Sequence, residues 1–247
     1  MNDIVLITQA RLGSNRLPNK ILLEINNKSI IEHFIIRSKK IKGLDKLIFA
    51  IPDNKENNPL QKYLEKFEVE IFRGSEFDVL KRYNDACKIY NPKAILRITS
   101  DCPLFDIKVT ETLIKLFKNE EIEYASNNLT FTWPHGLDVE IFSRRILDKA
   151  CSLATKDYDR EHVTPWIRNA TNIKKLNLEC DLKLNLNIRL TIDYIEDYKF
   201  LKKLNSMTKT VFSELSITEI NKIINKNPSL LNINKSRHLR NNYVNSQ

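Results

Sequence analysis

Three cations, Arg11, Arg16 and Lys20, crowd into the residues that follow a short apolar run, Ile4-Val5-Leu6-Ile7. That density suits a polyphosphate, which packs several negative charges into a small volume. Two acids also stand out by position. Asp101 follows the run Ala94–Ile98, and Asp193 follows Arg189-Leu190-Thr191-Ile192. Two carboxylates facing a basic loop suit Mg2+, which binds through one or two carboxylates together with substrate phosphates and water. The loop is neither a Walker A segment nor G-x-G-x-x-G. Gly13 is its only glycine, and Ile21 follows Lys20. Side-chain cations rather than a glycine cradle must then hold the phosphate. Each signal alone also has a plainer reading, as a solvated basic loop or as acids that cap turns and helices.

Three further segments carry polar groups. Arg73-Gly74-Ser75-Glu76-Phe77-Asp78 offers Ser75 and Asp78 to a base or ribose, or else starts a helix with an acidic first turn. Trp133-Pro134-His135-Gly136-Leu137-Asp138-Val139-Glu140 suits a polyhydroxylated ligand, or a tight turn. Tyr158-Asp159-Arg160-Glu161-His162 gathers four ionisable groups that either meet an acceptor or form a salt-bridged helix start, with His162 a candidate base.

The elements that must position these groups follow from apolar spacing. Strands are expected at Ile4–Ile7, Leu47–Ile51, Val69–Phe72 and Ala94–Ile98, with helical stripes between and after them. Such alternation predicts a parallel sheet with helices on both faces, whose site lies beyond the carboxyl ends of the strands. The second half is less regular. Strands are expected at Tyr124–Ser126, Asp138–Phe142, Ile173–Cys180 and Asn187–Thr191. Helices are expected at Arg144–Thr155, Glu161–Asn169, Tyr198–Leu204 and Thr218–Asn225. One domain over residues 1–231 and a frayed, polar, basic tail over 232–247 complete the expectation.

Composition bounds the rest. The 247 residues are 42% hydrophobic and 29% charged, which fits a soluble globular chain with a real core. A net charge of +9 fits an anionic substrate, a nucleic acid, or a lysine- and asparagine-rich bias. Cys87, Cys102, Cys151 and Cys180 are too widely spaced for a zinc site or a disulfide framework, so a reducing cytoplasm is expected. No signal peptide or membrane insertion is expected either. The four glycines are Gly13, Gly43, Gly74 and Gly136. Gly43 reads as a helix C-cap, and the other three are expected to line the site.

The run Gln9-Ala10-Arg11-Leu12-Gly13-Ser14-Asn15-Arg16-Leu17-Pro18-Asn19-Lys20 resembles the signature of the cytidylyltransferase family that includes SpsF-type spore-coat polysaccharide proteins, with CMP-Kdo and CMP-sialate synthetases as wider relatives. The resemblance continues in order through Arg73-Gly74-Ser75 with Asp78-Val79-Leu80, and Arg97-Ile98-Thr99 with Asp101-Cys102-Pro103-Leu104. It goes on through Pro134–Glu140, Asp159–Pro165 and Arg189–Asp193 with Glu196-Asp197, so it covers roughly Ile4 to Leu204. Asn19 departs from it, standing where glycine is common, and so does Ser100. The resemblance implies an α/β fold, a three-layer α/β/α nucleotidyltransferase (GT-A-like) architecture with a mostly parallel mixed sheet. It also implies CTP as donor, a small anionic sugar-like acceptor, Mg2+ and a homodimer.

By position, Arg11, Arg16 and Lys20 would hold the triphosphate, with Arg11, Lys20 and Asp101 acting in catalysis and Asp101 and Asp193 as metal ligands. Gln9, Ala10, Leu12, Gly13 and Thr99 would border the nucleotide, together with Arg73, Gly74, Ser75 and Asp78. Asn127, His135, Asp138 and Glu140 would border the acceptor, with Arg160, Glu161 and His162. Two other readings stay open. A glycosyltransferase of similar architecture would want a compact D-x-D motif, and none occurs at Asp101 or Asp193. A nucleic-acid-binding protein would suit +9 but leaves the loop and acids unexplained.

Overall fold

The computed structural model describes residues 3–119 and 121–237. The first half is built as its sequence spacing predicts. It runs β1 (Ile4–Gln9), a two-residue hairpin of β2 (Glu24–Ile25) and β3 (Lys28–Ser29), α1 (Ile30–Ser38), β4 (Lys46–Pro52), α2 (Asn58–Leu64), β5 (Glu70–Gly74), α3 (Val79–Tyr90), β6 (Ala94–Arg97) and α4 (Ile107–Asn119). The small hairpin has no apolar alternation to betray it. Asn26 and Asn27 turn it with φ of 51° and 59°, a conformation asparagine tolerates better than most residues.

The second half continues with β7 (Tyr124–Ser126), β8 (Glu140–Ser143), α5 (Arg144–Leu153), α6 (Asp157–His162), α7 (Pro165–Asn169), β9 (Lys175–Asn177), α8 (Ile195–Asn205) and α9 (Ile217–Lys226). Two expectations change. The helix expected over Glu161–Asn169 is two short helices, broken at Val163. The strand expected at Asn187–Thr191 is one isolated bridge, His135 to Arg189.

Seven strands form one sheet in the order β5-β4-β1-β6-β8-β7-β9. β1 is flanked by β4 and β6, both parallel to it, while β8 runs antiparallel to β6 and β7. The chain winds outward from β1 to β4 and β5, then returns to place β6 on the other side of β1. That reversal opens a crevice beyond the carboxyl ends of β1 and β6. Alternation along β1 binds the layers together. Ile4 and Leu6 pack under Phe34, Leu60 and Leu113 of α1, α2 and α4, and Val5 and Ile7 pack under Leu80, Tyr83 and Ile146 of α3 and α5. A third apolar cluster, including Trp133, Leu190, Ile192, Phe200 and Ile220, seats the late loop on α8 and α9.

The first residues of the stretch expected as a polar tail from residue 232 are among those described. Leu230 is buried, and buried Asn234 donates to Asp197 Oδ1 at 3.1 Å. Arg237 pairs with Glu196 at 3.1 Å, and the part of the expected tail over 238–247 lies outside the described residues. No helix among the described residues is long and apolar enough to cross a membrane.

Candidate active site

The basic loop leaves β1 at the crevice and is folded by its own backbone. The Ser14 and Asn19 N–H groups both donate to the Leu12 carbonyl, at 2.8 and 3.1 Å, and Leu12 N–H donates to Asn57 Oδ1 at 3.0 Å. Asn19 has φ 55°, so the position needs a residue that tolerates the left-handed region. That explains how asparagine serves where glycine is common. The turn aims Lys20 back across the crevice. There its Nζ lies 2.6 Å from Asp101 Oδ2 and 2.9 Å from Asp193 Oδ1.

Asp193 arrives without a strand. Leu190 N–H donates to the His135 carbonyl at 2.8 Å, and Ile192 N–H donates to the Asp101 carbonyl at 2.9 Å. Gly136 allows this approach. Its φ is 98°, and a Cβ there would meet the backbone of Leu190 and Thr191 at 2.6 Å. Arg189 then clamps Asp193 Oδ2 at 2.8 Å and Asp197 Oδ1 at 2.9 Å, while Arg16 reaches Asp193 Oδ1 at 2.6 Å. Asp197 also accepts the Asp193 and Tyr194 N–H groups at 3.0 and 3.1 Å. Arg16 and Arg237 stack on the same Tyr194 ring, with 5.1 and 4.2 Å to the centroid.

Burial opposes the charge of Asp101, but the Lys20 ammonium outweighs it and holds the carboxyl down at about 2. The same two acids overcome burial at Lys20 and raise its pKa. The two carboxylates converge on one cationic point. Such a donor set fits a divalent ion once a phosphate draws the Lys20 ammonium aside. Among the described residues no group of three or more His, Cys, Asp or Glu gathers as a metal cluster, so oxygens of substrate and water would complete any such shell.

A cavity of about 920 Å³ opens over this cluster. Of the residues expected at the nucleotide, Gln9, Ala10, Arg11, Arg16 and Lys20 line it, as do Asp78, Thr99 and Asp101. Leu12, Gly13, Arg73, Gly74 and Ser75 do not. Arg73 turns away to Asn58 Oδ1 and Gln61 Oε1, both at 2.7 Å, and to the Asn54 carbonyl at 2.6 Å. Ser75 Oγ accepts the Asp78 N–H at 3.1 Å, as a turn residue does. Gly13 has neither a positive φ nor a close neighbour, since a Cβ there would meet only Glu56 Oε2 at 3.9 Å. Asp78 caps α3 through the Lys81 N–H at 2.9 Å and pairs with Arg160. Arg160, Glu161 and His162, expected at the acceptor, line this cavity together with residues expected at the nucleotide. Sequence reasoning missed Glu76, Phe77 and Arg82 here. Phe77 is 82% exposed at the rim. Arg82 had a readable signal, because it is a cation beside the apolar stripe Val79, Tyr83, Ala86.

A second cavity of about 610 Å³ adjoins the first, and Thr99 and His162 line both. Asp138, Glu140, Asn128, Tyr158 and Arg168 contribute to its wall. Glu140 is committed: Arg97 takes one oxygen and the Tyr124 hydroxyl donates to the other at 2.6 Å. Asn127 is buried and spans the loop, donating to the Leu137 carbonyl and accepting the Val139 N–H, both at 2.8 Å. It is a brace and not a ligand. His135 lines neither cavity and meets Arg189 through Nδ1 at 2.7 Å. His162 is reachable from both cavities, yet crowding by protein holds its pKa below the ordinary imidazole value. Val163 next to it has φ 71° and ψ −54°, and Thr164 N–H donates to the His162 carbonyl at 2.8 Å. That is a γ-turn of the rare, strained kind, on a buried β-branched residue.

A crevice at a strand reversal, a fixed set of cations and two converging carboxylates define a nucleotidyltransferase. Comparison with known proteins narrows the class. A family profile described as cytidylyltransferase matches residues 5–236, and the chain belongs to that family. It is 37% identical over 235 residues to a Methanocaldococcus jannaschii protein of uncharacterized function, covering 94% of this chain and 95% of that one. It is 30% identical over 235 residues to the Bacillus subtilis spore coat polysaccharide biosynthesis protein SpsF, covering 92% and 96%. A solved cytidylyltransferase from Leptospira borgpetersenii superposes with a TM-score of 0.87 at 33% identity, covering 94% and 97%. A CMP:2-keto-3-deoxy-manno-octonic acid synthetase solved with CTP shares the fold, with a TM-score of 0.63 at 14% identity, covering 83% and 99%. The chain is thus a CTP-dependent nucleotidyltransferase of the three-layer α/β type.

Proposed function

We propose that this enzyme transfers CMP from CTP to a small anionic sugar-like acceptor, with release of pyrophosphate, in the making of a cell-surface polysaccharide or glycan precursor. The convergence of Lys20 on Asp101 and Asp193 carries the reading, because it joins a phosphate-binding cation to both carboxylates at one point. Arg11, Arg16 and Lys20 bind the triphosphate and neutralise the departing pyrophosphate. Arg189 and Asp197 keep Asp193 oriented, and the Ser100 hydroxyl, bonded to the Gln9 carbonyl at 2.8 Å, ties the ends of β1 and β6 together beneath the reacting phosphate. The acceptor occupies the second cavity and reaches the α-phosphorus across the seam at Thr99 and His162. The neutral imidazole there is suited to take a proton from an attacking hydroxyl. Catalysis is mostly positioning and charge stabilisation.

Asp101 and Asp193 are the residues that would hold Mg2+. When bound, the ion supplies Lewis-acid polarisation of a phosphate oxygen. The enzyme acts in the cytoplasm as a homodimer of single-domain chains, which light scattering and fractionation test. The central experiment is pyrophosphate release, measured with each of four NTPs against a panel of sugars, sugar phosphates and nonulosonic acids. CTP-selective release that needs one anionic acceptor class is expected. Equal turnover of all four NTPs, or none with any acidic sugar, overturns the proposal.

A further inference from the structure

A buried guanidinium without a carboxylate partner stands in the wall of the first cavity. Arg82 is 2% exposed on the first turn of α3. Its Nη1 donates to the Ser75 carbonyl and, at 3.2 Å, to the Glu76 carbonyl. Its Nε is buried and has no hydrogen-bond partner among the described residues. The two nearby acids are engaged elsewhere. Asp78 is paired with Arg160, and Glu76 Oε2 accepts from Asn54 Nδ2 at 2.8 Å. Burial is the main influence on the group, and the positive field of Arg11 adds to it against Tyr83 and those acids, so the guanidinium pKa falls to about 10. A folded chain seldom buries a cation in this condition unless something anionic joins it.

The seat is built for this side chain. A Cβ on Gly74 would lie 3.1 Å from Arg82 Cγ and 2.9 Å from the Phe72 ring, so glycine is what lets the arginine stem lie against the end of β5. Only the carbonyl contacts of Nη1 are explained by pinning residues 75 and 76. Arg82 and Arg11 both line the cavity.

We propose that Arg82 is a phosphate ligand of the bound nucleotide, forming with Arg11 a cationic wall facing the Lys20 cluster across the cavity. The inference rests on the first cavity being the nucleotide site. Two like-charged guanidinium groups in one wall match a polyanion; a neutral base edge would leave both charges uncompensated.

The test is calorimetric titration of the full chain with CTP and, separately, with inorganic tripolyphosphate, for wild type, R82Q and R82K, with a melting curve for each. R82Q is expected to weaken both ligands about 10–100-fold, the worth of a hydrogen bond to a charged group, and R82K to recover part of that loss. The R82Q melting temperature is expected to stay level or rise, since an uncompensated buried charge is removed. Wild-type affinity of R82Q for tripolyphosphate overturns the inference, whatever its melting curve. Weakened CTP with unchanged tripolyphosphate overturns it in favour of a base contact. If R82Q does not fold, Gly74→Ala, which displaces the stem, must show the same paired loss, and unchanged affinities overturn the inference. Failure of wild type to bind either ligand overturns the nucleotide assignment of the cavity itself.

Discussion

The two adjoining cavities are made in opposite ways. The first is framed by the segments that follow the parallel strands β1, β5 and β6, of which β1 and β6 are mostly apolar where they cross the core. Its charged groups then hang from regular scaffolding, and several of them answer one another across the opening. The second is framed by antiparallel β8, the 127–139 loop and two helices of six and five residues. Its charges are mostly settled within the protein, as in the Arg97–Glu140–Tyr124 group. On the proposed reading the first cavity is the donor side, prepared to change partners when a ligand arrives, and the second is the acceptor side, prepared to keep its shape.

The comparison breaks most visibly at Asp101. Asp101→Ala is expected to lower metal-dependent pyrophosphate release from CTP at least about 100-fold, as loss of a charge-stabilising group does in other sites. Wild-type-like turnover would remove the donor side's claim to the chemistry. Glu140→Ala should act on the other quantity. Leaving Arg97 buried and alone is expected to cost about 3–5 kcal/mol of stability, measured by denaturant melts, because breaking one partner of a buried pair leaves an uncompensated charge. A surface-like change of under about 1 kcal/mol would show that the acceptor wall is not held by that pair.

Asp138→Asn sharpens the boundary between the cavities. The carboxylate sits in the second cavity, accepting from Gly136 N–H at 3.0 Å. The acceptor KM is expected to rise about tenfold with the CTP KM unchanged, the worth of roughly 1.4 kcal/mol. A rise in the CTP KM instead would merge the two sites. The smallest effect concerns pH and lies outside both cavities. His33 is buried, its Nε2 is bonded to the Ile25 carbonyl at 2.8 Å, and burial lowers its pKa. Its folded pKa lies below its unfolded one, so its contribution to stability is present above about pH 6.5 and is lost as pH falls through the folded value. Melting temperature should therefore drop between pH 7 and 5, and His33→Gln should flatten that slope. An unchanged slope in the variant would assign the acid limb to other groups.

Much of the donor side was legible in the sequence because strand period and apolar runs are local signals. β1, β4, β5 and β6 fall within one or two residues of expectation, and the loops after β1 and β6 hold the groups proposed for the site. Arg73 and Ser75 show the limit. A residue after a strand can face either way, and Arg73 found Asn58 and Gln61 on the outer side of β5. The late segment that delivers Asp193 to the first cavity resisted because it is shaped by long-range contacts. Nothing near Asn187 announces that its neighbours will pair with His135 through one bridge, or that Gly136 clears the space for them. Arg189, Asp193 and Asp197 were visible as charges, but their clamp was not, since it depends on Asn234 and Tyr194 closing around it.

Val163 gives position 163 an unusual kind of constraint. Volume and hydrophobicity would admit several residues there, yet the backbone favours glycine, and the chain carries valine. Val163→Gly would relax the turn but empty a buried place in the apolar cluster beneath α3 and α5. The same change would unlock the peptide that gives His162 its fixed address between the two cavities. Strain in the turn and packing of its side chain therefore pull in opposite directions at this residue.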